Sequence, residues 1–180
     1  HNNLGNICRK LGKLEQSEAS LRQATVLKDD YFEAHSNLGV TLKELGRLEE
    51  SEASLRQALA VKPDHAEVHS NLGITLKELG RYDEAETNLR QAIALKPDFA
   101  EAQNNLGNTL QELGRLDEAE ASYKRAIALQ PDYAEAHHSL SFALVKSGKL
   151  KEGLDEYEWR WKLAKNVSKN RGFPPPWWDG

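Results

Sequence analysis

Methionine is absent from the 180 residues, and Cys8 is the only cysteine. A single thiol excludes any internal disulfide, so packing alone must hold the fold. Cys8 stands at the phase that Leu42, Leu76, Leu110 and Leu144 occupy elsewhere, which marks a small buried apolar residue rather than a reactive thiol. Aromatic residues make up only 7% of the chain, so the core must come from small, repetitive contacts. No apolar run is long enough to span a bilayer, and the net charge of −4 supplies no cationic footprint for nucleic acid. Membrane and nucleic acid are therefore not expected as partners.

What is present is repetition. Asn3-Leu4-Gly5, Asn37-Leu38-Gly39, Asn71-Leu72-Gly73 and Asn105-Leu106-Gly107 recur 34 residues apart, with Ser139-Leu140-Ser141 as a degraded fifth copy. Gly12, Gly46, Gly80, Gly114 and Gly148 run at the same period. Such a period marks an array of one supersecondary unit, each burying its apolar face only against its neighbours. The 39% hydrophobic and 29% charged residues suit a stacked array with one continuous core. His1 falls inside a repeat, which together with the missing methionine leads us to expect a fragment or processed piece, so that a missing leader carries little weight. The expected location is cytoplasmic.

One unit, residues 66–99, reads as helix-turn-helix. Asp64 and Glu67 have the spacing of a capping box, repeated by Asp30 and Glu33, Asp98 and Glu101, and Asp132 and Glu135. Leu72, Leu76 and Leu79 line one side of the first helix, and Gly80 stops it where a left-handed C-cap is needed. Asp83 and Glu84 favour the start of the second helix, Ala85, Leu89, Ala92 and Ile93 form its stripe, and Lys96-Pro97-Asp98 ends it. A glycine inside a helix costs about 1 kcal/mol relative to alanine. Gly39, Gly73 and Gly107 therefore imply close approach of the paired helix, where Ser51, Ala85 and Ala119 are also small.

A unit of this length with Leu72-Gly73, Ala85, Leu89, Ala92 and Pro97 at these offsets resembles the tetratricopeptide repeat. The resemblance implies an all-α, right-handed superhelical solenoid of antiparallel helix pairs with a concave peptide-binding groove. It divides the chain into a partial repeat at 1–31, full repeats at 32–65, 66–99 and 100–133, a degenerate repeat at 134–167 and a Pro/Trp-rich tail at 168–180. His1, His35, His69 and His137 stand where the family usually has a large aromatic residue, so repeat phase explains them. A metal site around His65 and His69, or His137 and His138, lacks a carboxylate or cysteine to complete it. No catalytic constellation is present; no metal and no cofactor are expected, and the chain reads as a binding protein, not an enzyme.

Helical spacing brings Glu33, Asn37, Val40 and Glu44 onto one face, as it does Glu67, Asn71, Ile74 and Glu78, and Glu101, Asn105, Asn108 and Glu112. Asparagine is a poor mid-helix residue, so the ladder of Asn3, Asn37, Asn71 and Asn105 points to function. An amide offers donor and acceptor together and can pair with a peptide backbone without reading its side chains. With repeats stacked about 10 Å apart, one rung would meet roughly every third residue of an extended chain, and four rungs about nine residues. The alternative is that the asparagines were inherited with the duplicated unit and bond only a neighbouring helix or water. Asn108 joins the peptide-binding residues on this face, while Lys43 and Lys77, with the nearby glutamates, would bias side-chain choice.

The runs Ala34-His35-Ser36-Asn37-Leu38-Gly39, Leu76-Lys77-Glu78-Leu79-Gly80-Arg81 and Ala94-Leu95-Lys96-Pro97-Asp98-Phe99-Ala100-Glu101-Ala102 resemble the repeats of O-linked N-acetylglucosamine transferase and its bacterial relatives. That resemblance implies that Asn37, Asn71 and Asn105 line the superhelix and hold substrate polypeptide. Chaperone adaptors that clamp a carboxylate use a basic residue where this chain has Asn2, Ser36, Ser70, Asn104 and His138, so such a clamp is not expected.

Regularity fails after Asp132: Ser139 replaces the asparagine, Phe142 and Val145 replace polar inner-face residues, Gly153 takes the small position and Arg160 the late alanine. The last helix presents Leu154, Tyr157, Trp161 and Leu163, which Phe173-Pro174-Pro175-Pro176-Trp177-Trp178 could cover by folding back. A disordered tail and a ligand for a proline-recognition domain are the other readings of it. Tyr157-Glu158-Trp159-Arg160-Trp161 and the tail resemble a junction in bacterial multi-repeat proteins, which would make Gly180 a domain boundary. The partner expected is a protein or peptide in extended conformation. Two other readings stay open: a substrate-recruiting region of a glycosyltransferase-like protein, and a scaffold that stacks end to end into a homo-oligomer through its open solenoid ends.

Overall fold

The computed structural model describes residues 1–159. Nine helices follow one another as α1 (Asn2–Lys10), α2 (Leu14–Leu27), α3 (Phe32–Glu44), α4 (Leu48–Val61), α5 (Ala66–Glu78), α6 (Tyr82–Leu95), α7 (Ala100–Glu112), α8 (Leu116–Leu129) and α9 (Ala134–Lys146). A tenth helical stretch, α10, covers 150–159. Each odd helix packs against the even helix that follows it, and each even helix against the next odd one. The backbones of odd helices also come close to those of successive odd helices, whereas even helices among α1–α9 meet one another only through long side chains such as Arg22 on Glu50 and Arg56 on Glu84. The array therefore curves with the odd helices on its inner, concave side, giving an all-α, right-handed superhelical solenoid. Expectations for Arg160, Trp161, Leu163 and the tail lie outside the described residues.

Glycine sets the spacing within each pair. A Cβ on Gly73 would lie 2.7 Å from Leu89 Cγ and 3.2 Å from the Ala85 carbonyl oxygen, and one on Gly39 2.5 Å from Leu55 Cγ. The approach expected from the small residues is present, but the leucine one turn beyond them makes the tightest contact. Leu55, Leu89 and Tyr123 are fully buried there. In the last pair the roles exchange: Ser141 replaces the inner glycine, and Gly153 on α10 comes against the Ser141 carbonyl, where a Cβ would sit 3.0 Å away. Cys8 is buried, as its phase implies.

The inner helices end as the glycine comb requires. Gly46, Gly80 and Gly114 have φ of 75°, 75° and 76°, and around Gly80 the Arg81 N–H reaches the Leu76 carbonyl while the Gly80 N–H reaches that of Lys77, each at 2.9 Å. This is the Schellman arrangement. The helix starts differ from the sequence reading. No capping box forms: the N-caps of α3, α5, α7 and α9 are Tyr31, His65, Phe99 and Tyr133, with no side-chain cap bond. Asp30, Asp64, Asp98 and Asp132 fall one residue too early. At α7 the reason is a tight linker turn, closed by Phe99 N–H on the Lys96 carbonyl at 3.1 Å, which brings Phe99 under the Lys96 ammonium, 4.6 Å from its ring centroid. The glutamate of the first turn serves the free N–H groups instead; Glu33 accepts from its own backbone and is held below the usual carboxylate range by that bond, then by Lys62.

The convex side carries a charge ladder that pairs residues of neighbouring units. Arg47 bonds Glu18 at 2.7 Å, Arg81 bonds Glu52 at 2.6 Å, Arg115 bonds Glu86 at 2.7 Å and Lys149 bonds Glu120 at 2.7 Å. The same arginines also grip Glu50, Glu84 and Glu118 three residues on. Glu18, Glu52, Glu86 and Glu120 keep only 15%, 14%, 14% and 12% of their side-chain surface exposed, so these pairs are less screened than ordinary surface ones.

Two outcomes follow for stability. Gly73→Ala should destabilise by about 1–3 kcal/mol through overpacking against Leu89, although alanine is the better helix former; urea unfolding checks this, and a more stable variant would contradict the packing. Glu120 is held below 4.5 by bonds from Lys124 and Lys149, and Glu50, Glu84 and Glu118 are lowered chiefly by Arg47, Arg81 and Arg115. A carboxylate with a depressed folded pKa adds stability that is complete above its unfolded value and is lost as pH falls through the folded one. Tm should hold from about pH 7 to about pH 5 and fall by about pH 3, less steeply in about 1 M salt. An unchanged Tm at the acid end would contradict the ladder's contribution.

Candidate peptide-binding groove

Asn3, Asn37, Asn71 and Asn105 lie on α1, α3, α5 and α7, the inner layer. Asn3 is exposed and the other three are half-buried. A buried threonine sits one turn beyond each of those three: Thr41, Thr75 and Thr109 donate to the carbonyls of Asn37, Asn71 and Asn105 at 2.9, 3.0 and 2.9 Å. Ser17 and Ser51 from the preceding unit pair with Thr41 and Thr75 at 3.1 and 3.2 Å. The ladder thus stands on a buried hydroxyl seam that ties one unit to the next.

The amides themselves are not equivalent. Asn37 Nδ2 donates to Asn2 Oδ1 at 2.9 Å, so part of that rung is spent within the chain. Asn71 and Asn105 bond nothing through their side chains among the described residues, and keep both donor and acceptor. Asn108 Oδ1 accepts from the Tyr123 hydroxyl at 2.9 Å, which leaves its Nδ2. Tyr123 is fully buried, and burial pushes its ionisation well above the usual range.

Charge is divided between the two faces. Lys43 and Lys77 are half-buried on the inner layer and meet no carboxylate among the described residues, whereas Arg22, Arg56 and Arg90 of α2, α4 and α6 are each paired. Several inner glutamates are neutralised locally: Lys62 holds Glu33 at 3.3 Å, Lys96 holds Glu67 at 3.0 Å and Arg9 holds Glu44 at 3.0 Å. Lys96 also lowers Glu67, the bond between them being the largest cause. The recurring linker lysines were the sequence signal for those pairs, and the sequence reading missed it.

Histidine serves the linkers. His35 meets the Asp29 carbonyl at 2.7 Å, His69 that of Pro63 at 2.8 Å and His137 that of Pro131 at 3.1 Å. His137 also bonds Glu156 at 2.6 Å and stacks on Trp159 with centroids 3.9 Å apart. Among the described residues no three His, Cys, Asp or Glu side chains are grouped to hold a metal ion, and no helix is long and apolar enough to cross a membrane.

Two further features adjoin the ladder. A polar cleft of about 370 Å³ opens between the third and fourth units, lined by Lys77, Tyr82, Asn108, Gln111 and Glu112. Of these, the sequence singles out Lys77, Asn108 and Glu112 but not Tyr82 or Gln111. At the first unit Leu4, Ile7, Leu11, Val26 and Leu27 are exposed, forming an apolar end.

Tetratricopeptide-repeat models match residues 5–46, 30–98 and 70–134. Among curated proteins none matches the chain. Solved structures resemble it closely in fold. A crystal structure of MamA superposes with a TM-score of 0.83 at 22% identity over 92% of this chain and 97% of that one. MamA from residue 41 to its end, from Desulfovibrio magneticus RS-1, gives 0.83 at 21% identity over 91% and 93%. PilF of Pseudomonas aeruginosa gives 0.80 at 24% identity over 88% of this chain and 72% of that one. At these identities the likeness is one of fold. Family models and architecture agree: over residues 5–134 the chain is a tetratricopeptide-repeat protein.

Proposed function

We propose that the concave face holds an extended polypeptide by its backbone, with Asn71 and Asn105 as the principal rungs, Asn3 and Asn37 as outer ones, and Lys43, Lys77 and Asn108 biasing the side chains accepted. The observation that carries this reading is the contrast in hydrogen bonding. The outer-face arginines Arg22, Arg56 and Arg90 of α2, α4 and α6 have carboxylate partners, while two half-buried asparagines, poor choices for a helix interior, hold donor and acceptor unused on the inner layer. An extended chain presents alternating N–H and C=O groups that an amide can pair with bidentately. Recruitment of substrate polypeptides to a glycosyltransferase, implied by the resemblance of the repeats, would be one use of such a groove.

End-to-end stacking is a second reading, favoured by the apolar end at Leu4, Ile7 and Val26. The charge ladder speaks against a junction built like the internal ones. The pivotal glutamate position of Glu52 and Glu86 is Leu154 in the last described helix, so Lys13 of a following copy, at the phase of Arg47, would meet no carboxylate there.

Binding to a library of unstructured peptides, read by fluorescence anisotropy, tests the groove. The Asn37→Ala/Asn71→Ala/Asn105→Ala variant, with helicity matched by circular dichroism, should lose at least about tenfold in affinity across unrelated sequences, since each rung removes bonds worth about 0.5–1.5 kcal/mol. Asn71→Ala alone should cost more than Asn37→Ala, whose amide is already engaged. Undiminished binding by the triple variant would sink the reading, and a mass that rises with concentration in light scattering would favour stacking.

A further inference from the structure

The polar cleft between the third and fourth units gathers the departures of those units from the repeat. Where it has Tyr82, other units have Leu14, Leu48 and Leu116; where it has Asn108, the two preceding units have Val40 and Ile74; where it has Gln111, they have Lys43 and Lys77. Behind Asn108 stands Tyr123, at the position of Leu21, Leu55 and Leu89. Leucine suffices for packing at that site in three units, so the hydroxyl needs another reason. It supplies one by donating to Asn108 Oδ1 at 2.9 Å, which fixes the amide and leaves Nδ2 as its free end. Gln111 Oε1 is buried with no hydrogen-bond partner. A residue kept only for packing would not carry that desolvation cost.

Charge narrows what the cleft can take. The Lys77 ammonium and the Glu112 carboxylate both line it, and neither has an ion-pair partner among the described residues. A carboxylate guest would meet Glu112, with exposed Glu78 and Asp83 as chain neighbours of Lys77 and Tyr82; an ammonium or guanidinium guest would meet Lys77. A neutral group with both an acceptor and a donor satisfies both ends. Its oxygen can accept from Lys77 Nζ and Asn108 Nδ2, and its N–H can donate to Glu112.

We infer that this cleft is a side-chain pocket for glutamine or asparagine in a polypeptide held in the groove, a sequence-reading position beside rungs that read only backbone. The inference rests on the groove reading, and Tyr123 acts in it as a positioning residue.

The test uses labelled, unstructured peptides of about nine residues, the length four rungs can hold, built of alanine and glycine with one guest, Gln, Glu, Lys or Ala, placed at each position in turn. Wild type should bind the Gln guest about tenfold tighter than the Ala guest at one position, as one or two added bonds allow, with Glu and Lys no tighter than Ala. The variant Tyr82→Leu/Asn108→Val/Gln111→Lys/Tyr123→Leu carries the residues of neighbouring units, with no buried hydroxyl left unpaired, and so retains the fold. It should bind every guest at the Ala level. Tyr123→Phe, which removes only the hydroxyl, should lose most of the preference while Ala-guest binding is kept. Binding of all guests equally by wild type would overturn the pocket and leave the groove standing, as would tighter binding of Glu or Lys. Failure of every peptide to bind would overturn both.

Discussion

Everything in this molecule depends on how closely two helices of a pair can approach at an inner glycine. With no Cβ on Gly39 or Gly73, Leu55 and Leu89 come down onto the backbone of α3 and α5, and the Ser51 and Ala85 carbonyls lie just beyond. That contact fixes the pair. A fixed pair repeated at a constant interval must curve one way, and the inner helices then meet while the outer ones part. The exchange of Ser141 and Gly153 shows that the constraint is steric: glycine can move to the other helix so long as one side of the contact stays bare.

Polar chemistry is distributed around that frame with opposite intentions on its two sides. Outside, Arg47, Arg81 and Arg115 follow the left-handed glycine, begin the next helix and reach back to a carboxylate of the preceding unit. One residue thus serves turn, cap and inter-unit bond. Inside, Asn71, Asn105, Lys43 and Lys77 are carried by equally regular helices but left unsatisfied. Buried hydroxyls such as Thr75 and Ser51 hold the helices that present them. That contrast between a largely paired outer face and an open inner one is the ground on which we propose the inner face as the interaction surface.

Much of this was legible in the sequence because backbone and packing demands repeat identically. The glycine comb announced the left-handed turns, and the phase of Leu72, Leu76 and Leu89 announced the core. The capping box was misread because Asp64 and His65 differ by one residue in the turn that precedes the helix, and only that turn's geometry decides which is the cap. The Arg47 to Glu18 bond spans 29 residues; its partners recur at one period but reveal their pairing only when units are stacked. The ladder of asparagines was visible as a pattern, yet its inequality was not, since Asn37 meets Asn2 only across α1 and α3. Tyr82, Gln111 and Tyr123 could have been found as departures from the repeat, but nothing short of the fold brings them to one place.

The central claim, that the free inner amides hold peptide backbone, is tested most directly by following the side-chain NH₂ resonances of Asn71 and Asn105 in a nitrogen–proton spectrum while a glycine-serine peptide is added. The account predicts that both shift together and saturate, with Arg22 and Arg56 on the convex face unmoved. Shifts confined to residues of the apolar end, such as Leu4 and Ile7, or saturable binding that leaves both asparagine amides in place, would contradict it.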